Sequence, residues 1–229
     1  MTHNKTLVWD LPLRIFHWAL VLLIFAQWLT AEVLDGYIDL HAKFGYGLLG
    51  LVIFRIIWGF VGPKHARFSS FLRGPSAIFH YSRTLITRHP STYTGHNPLG
   101  ALMVPAILIV VGTQAISGLF VTDDVLFTGP YYSSVSDETQ GTMQWLHHTL
   151  FDVLLVIIGL HISAILSYEL LLKKPLIGAM LHGQKNVQAK SGINHSRLIL
   201  ALLLALVICA FIYWLVVVAP PEVELDYYY

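Results

Sequence analysis

Charge and cysteine are what this chain has least of. Only 12% of its 229 residues are Asp, Glu, Lys or Arg, about half of the roughly 25% usual in a soluble domain. That deficit excludes a water-facing surface over most of the length. The net charge of +1 points to no particular partner, and no nucleic-acid partner is expected. The single cysteine, Cys209, lies inside an apolar run, so there is no internal disulfide. It reads as a small packing or lipid-facing residue. There is also no Cys-x-x-Cys-His for covalent haem attachment, so any haem is held by coordination alone. Internal repeats and low-complexity tracts are likewise not evident.

Apolar residues are abundant, at 55%, and mean hydropathy is +0.64. They fall in long runs separated by short charged loops, the pattern of a polytopic helical membrane protein. A crossing helix needs about 20 apolar residues. Five stretches qualify, at 13–34, 43–61, 99–121, 145–171 and 198–218. The first is too long for a cleaved signal peptide and has no small-residue cleavage site after it, so it is expected to be retained.

The loops give the orientation. Lys5 and Arg14, then Lys64, Arg67, Arg73, Arg83 and Arg88, then Lys173, Lys174, Lys185, Lys190 and Arg197 share one side. The opposite side has Lys43 alone, with acids concentrated at 32–39, 123–138 and 222–226. By the positive-inside rule the N-terminus is cytoplasmic and, after five crossings, the C-terminus is external. Residues 75–88 are expected to form a short helix lying on the membrane. The acidic external loop 122–144 is either a docking surface or a solvated connector.

Twelve histidines are present, and several sit in apolar runs, where an unpaired polar ring is costly. His147 and His161 are fourteen residues apart in the fourth span. Helical geometry puts them on one face, about 21 Å apart along the axis, which suits two stacked haems. His148 is a rival for His147 but points about 140° away from His161. Depth pairs His17 with His161 near the cytoplasmic side, and His41 with His147 near the outer side. Paired imidazoles leave no open iron position, which points to electron transfer. A proton pathway is the competing use of the same histidines.

Arg55 lies fourteen residues after His41 and shares its face. An intramembrane arginine needs an anion, and a haem propionate suits its guanidinium fork. The other reading is an ion pair with Asp152, which lies closer to the outer end of its span. Arg14, one turn before His17, is placed either for a propionate or for interfacial anchoring.

Ordered motifs in this chain resemble the bacterial cytochrome b561 family, which includes the b-type subunits of nickel–iron hydrogenases and formate dehydrogenases. They are Val8-Trp9-Asp10-Leu11-Pro12-Leu13-Arg14-Ile15-Phe16-His17-Trp18, then Phe54-Arg55-Ile56-Ile57-Trp58-Gly59-Phe60-Val61-Gly62-Pro63, then Gly95-His96-Asn97-Pro98-Leu99-Gly100, and the spaced pair His147 and His161. The resemblance covers roughly residues 8–185. It implies an all-α integral membrane four-helix haem-binding bundle with two bis-histidine b haems, carrying the same four ligands. It also implies a quinone site near the cytoplasmic haem, where Asn97 and His96 would act on a quinone carbonyl and its proton. Asn97 before Pro98 is equally a helix N-cap. Residues 1–185 would form the di-haem domain, and 186–229 an additional transmembrane helix and periplasmic tail.

The expected function is a quinone-linked electron carrier of the bacterial inner membrane. Its external partner would be a periplasmic redox protein, either a c-type cytochrome or a catalytic hydrogenase or dehydrogenase subunit. The alternatives are a superoxide:quinone oxidoreductase, which the acidic outer loops disfavour because superoxide is an anion, and an anchor subunit that only wires a catalytic complex.

Overall fold

A computed structural model describes residues 3–87, 93–125, 127–188 and 191–221. Arg88, Lys190 and the acidic tail from Glu222 lie outside the described residues. The chain begins with a short strand, β1 (His3–Leu7), followed by α1 (Leu11–Trp28), α2 (Ile38–Val61), α3 (Phe68–Phe71) and α4 (Pro75–Ile86). Then come α5 (Pro98–Ser117), α6 (Asp137–Leu170), α7 (Leu176–His182), strand β2 (Gln184–Gln188) and α8 (Leu198–Tyr213). Among the described residues, five helices are long and apolar enough to cross a membrane: Leu11–Val33, Ile38–Val61, Pro98–Phe120, Asp137–Leu170 and Leu198–Val218. The protein is therefore an all-α, multi-pass membrane protein.

Local sequence sets the helix ends. Asp10 caps α1, accepting from the Leu13 amide at 3.0 Å, with Pro12 in the first turn. Asn97 caps α5 in the same way, accepting from the Gly100 amide at 2.8 Å. α2 and α6 begin earlier than their apolar runs predict. Asp137 and Glu138 open α6, where acids favour a helix N-terminus, so this helix extends beyond its apolar run. The helix expected at 75–88 appears as α4. Its Tyr81 is buried and shares a 2.7 Å hydroxyl–hydroxyl hydrogen bond with Tyr168 of α6.

β1 and β2 pair antiparallel, Lys5 opposite Asn186, and this two-stranded ribbon has no signal in the apolar pattern. It anchors the start of α1. The amides of Val8 and Trp9 both donate to the Gly183 carbonyl, at 2.8 and 3.0 Å.

The spans pack in series: α1 on α2, α2 on α5, α5 on α6. α8 lies against α2, with Ile208 and Ile212 over Gly50. Neither α1 nor α2 packs extensively against α6. Leu154 is the one buried residue of that 34-residue helix. The bundle therefore has close packing along three seams and room along the fourth.

Candidate functional site

The room lies between the helices that carry the paired histidines. At the level expected from the loop charges to be the outer one, the rings of His41 and His147 stand 6.2 Å apart between centroids, with planes inclined at 75°. His147 Nδ1 lies 3.0 Å from the Gln114 carbonyl oxygen and 3.2 Å from Ser117 Oγ, both on α5. His41 bonds the Gln27 carbonyl on α1, and its Nδ1 lies 3.4 Å from Thr30 Oγ1. An Nδ1 held by a carbonyl is the protonated nitrogen, which leaves Nε2 with its lone pair for a metal. His148 is exposed and contacts Gln144 instead. Thus His147, not His148, is brought to His41.

At the inner level His17 and His161 are close enough to interact electrostatically. Both are half-buried, and His17 Nδ1 is buried without a partner. His17 also sits edge-on to Trp18 at 5.1 Å.

Arg55 is only 2% exposed, and both of its terminal nitrogens are buried with no hydrogen-bond partner. Its guanidinium lies 4.9 Å from the Phe68 ring centroid and 5.9 Å from that of Phe71. Phe68 reaches it because position 59 is glycine. A Cβ there would collide with the Phe68 ring. The charge facing Arg55 is Asp10, not Asp152, which is exposed. Asp10 is itself buried and accepts from Trp58 Nε1 at 3.0 Å, while its Oδ2 has no partner. Burial raises the Asp10 carboxyl, against the bonds from Leu13 and Trp58 that lower it. A buried guanidinium with two unpartnered nitrogens is costly, and its fork is suited to an anionic group.

His96 lies between Trp9, at 4.7 Å, and Phe71, at 4.5 Å. Its Nδ1 is buried and unpartnered. Burial, then the nearby charges of Arg55 and Lys185, pushes its imidazole down to about 3, so it is neutral at physiological pH. Lys185 Nζ donates to the carbonyls of Thr94 at 3.0 Å and Gly95 at 3.3 Å, and sits 5.1 Å from the Trp9 ring centroid. Burial, with Lys174 nearby, lowers it to about 8. His65 Nε2 bonds the Ser191 carbonyl oxygen at 2.7 Å. His96 interacts electrostatically with His161, which joins this pocket to the inner histidine level. Asn97 spends its side-chain oxygen on the α5 cap. Arg14 donates from Nη1 to the Leu181 carbonyl at 2.6 Å, and its Nε is buried without a partner.

A family model described as prokaryotic cytochrome b561 matches residues 8–183. The chain belongs to the prokaryotic cytochrome b561 family. The match spans α1 to α7 and stops before α8. Curated relatives include three proteins named as probable nickel–iron hydrogenase B-type cytochrome subunits. The one from Bradyrhizobium diazoefficiens is 25% identical, covering 78% of this chain and 85% of the relative. The one from Rhizobium leguminosarum bv. viciae is 26% identical, covering 78% and 87%. The one from Azotobacter chroococcum is 24% identical, covering 77% and 86%. No solved structure matches the chain.

As a cytochrome b561 family member this is a b-type cytochrome, a haem b protein and a membrane component of electron transfer. Its residues fit that group. Metal–imidazole bonds of about 2 Å on both faces of one iron put ring centroids about 6 Å apart, and the outer pair stands at 6.2 Å. The unpartnered Arg55 guanidinium supplies what a carboxylate-bearing macrocycle needs. The histidines and Arg55 were legible from spacing. Asp10, Trp58, Thr30 and Ser117 were not, although Asp10 before Leu11-Pro12 carries a helix-cap signal.

Proposed function

We propose that this protein carries electrons between the quinone pool and a redox partner on the outer side of the bacterial inner membrane. In this reading His17 and His161 hold a cytoplasmic-side haem b, and His41 and His147 hold an outer one. The observation that carries it is the outer pair, with its ring separation and the His147 Nδ1 held on the Gln114 carbonyl. Held by these histidines, haem b would supply one-electron exchange.

The remaining residues have parts that follow from their surroundings. Arg55 pairs with a propionate, relieving two buried unpartnered nitrogens, and Arg14 offers its Nε to a second. Quinone is the substrate at the inner level. His96 is neutral, and its Nδ1 exchanges a hydrogen bond or proton with the quinone oxygen. Asn97 Nδ2 is a donor left over from capping. The twelve Lys and Arg residues of the cytoplasmic loops support an internal N-terminus. The relatives' names support a hydrogenase-type complex as the outer partner.

The test is quinol oxidation by the purified protein with both haems present. Haem reduction by a quinol, abolished in His96→Leu with haem content unchanged, is expected. Failure of quinol to reduce intact wild-type protein would remove quinone from the account. Co-purification of a large redox subunit would identify the outer partner.

A further inference from the structure

We propose that Thr30 and Ser117, with the carbonyls of Gln27 and Gln114, form two matched clamps that set the potential of the outer haem. This rests on His41 and His147 being its ligands. The clamps use the same four-residue pattern on two helices. Gln27-Trp28-Leu29-Thr30 runs from the last residues of α1 into the turn that follows it, and Gln114-Ala115-Ile116-Ser117 ends α5. In each, the glutamine carbonyl bonds the histidine of the next span, and the hydroxyl three residues on lies beside the same ring.

The hydroxyls are oriented alike. Ser117 Oγ donates to the Gln114 carbonyl at 3.0 Å. Thr30 Oγ1 donates to the Ala26 carbonyl at 2.8 Å and lies 3.2 Å from that of Gln27. With its proton engaged, each hydroxyl oxygen faces the ring nitrogen as an acceptor. Thr30 is 5% exposed and Ser117 1%, so neither competes with water. Each sits where its helix leaves α geometry, Thr30 in the π turn Leu29–Val33 and Ser117 just before the 3-10 turn Gly118–Phe120. The side-chain amide oxygens of Gln27 and Gln114 are also both buried without a partner.

The parallel continues one level inward. Arg55 follows His41 by fourteen residues, as His161 follows His147. The hairpins α1–α2 and α5–α6 therefore present one local plan twice, a repeat that residue spacing alone did not disclose. One hairpin puts a ligand at the inner position and the other puts a cation there.

An Nδ1–H shared between a carbonyl and a hydroxyl makes the imidazole a stronger donor to its metal. That favours the ferric state and lowers the potential. Removing a hydroxyl leaves one acceptor and raises it. Thr30 and Ser117 are thus positioning residues acting through the histidines.

The experiment is optical redox titration of purified Thr30→Val, Ser117→Ala and the double variant, with haem content and the low-spin ferric electron-resonance signal measured alongside. The outer haem is identified as the one missing from His147→Ala. We expect each single variant to keep two haems and to shift the outer ferrous-to-ferric ratio about threefold towards ferrous at fixed potential, about 28 mV at 59 mV per tenfold. The inner haem should not move, and Thr30→Ser and Ser117→Thr should restore the wild-type value. Loss of the outer haem alone, reversed by those hydroxyl-bearing variants, supports the clamp as well. An unchanged outer potential in the double variant, equal movement of both haems, or equal haem loss in the hydroxyl-bearing variants would overturn it. If His41→Ala and His147→Ala leave haem content at the wild-type level, the ligand assignment itself has failed.

Discussion

Trp58, at the inner end of α2, donates its indole hydrogen to the carboxylate of Asp10, at the cap of α1, across 3.0 Å. Both residues are buried, so the bond ties the two helix ends together beside Arg55. Trp58→Phe keeps an aromatic ring but removes the indole N–H, leaving Asp10 Oδ1 with the Leu13 amide as its donor. Removing one partner of a buried hydrogen bond to a charged group costs about 1.5–3 kcal/mol. A drop of that size is expected in detergent, followed through loss of the haem absorption on heating. An unchanged midpoint would mean that the bond contributes nothing.

Arg55→Leu removes the buried cation at the inner level. A nearby positive charge favours the more negative, reduced iron, so its loss lowers the inner potential. An effect on the order of 1 kcal/mol, several tens of millivolts, follows from an interaction at protein-like dielectric. Redox titration should find the inner haem displaced downward or lost and the outer one unchanged. Displacement of the outer haem instead would put Arg55 at the wrong level.

Gly118 lies against the His147 ring, and a Cβ there would sit 3.0 Å from Cε1. Gly118→Ala therefore forces the ring to move. The expected result is weakened outer haem retention or an altered low-spin signal, with the inner haem intact. A wild-type outer spectrum would show that the ring has slack the structure does not suggest.

His96 gives a signature in acid. Its imidazole is lowered from 6.5 to about 3 by burial first and by neighbouring cations second. A lowered value means that the folded state resists protonation. Its stabilising contribution is thus present above about pH 6.5 and is lost as pH falls towards 3. His96→Phe should reduce the slope of thermal stability against pH between those limits. An identical slope in the variant would show that His96 does not titrate as its surroundings require.

The parts of this fold that were legible in the sequence are those with a strong period or a high cost. Five apolar runs gave five spans, and His147 with His161 gave two levels, because helical rotation fixes which residues share a face. Arg55 stood out because charge inside a membrane is expensive. The early starts of α2 and α6 were missed because helices continue past the hydrocarbon, where composition no longer reports them. The β1–β2 ribbon was missed because five-residue strands carry almost no periodic signal. Asp10 and Trp58 are far apart in sequence, and only the packing of α1 on α2 brings them together. Thr30 and Ser117 are ordinary residues until the ring each one touches is known. At Asn97 the cap reading holds, since its oxygen caps α5, and the amide nitrogen is what the proposed quinone would use.

The central claim is that two haems occupy two histidine pairs. A pyridine haemochrome assay on detergent-purified protein, with dithionite difference spectra of wild type, His147→Ala and His161→Ala, tests it most directly. Two b haems per chain are predicted, with each substitution removing a different one. One haem or none in the wild type, or the same haem lost in both variants, would contradict the pairing.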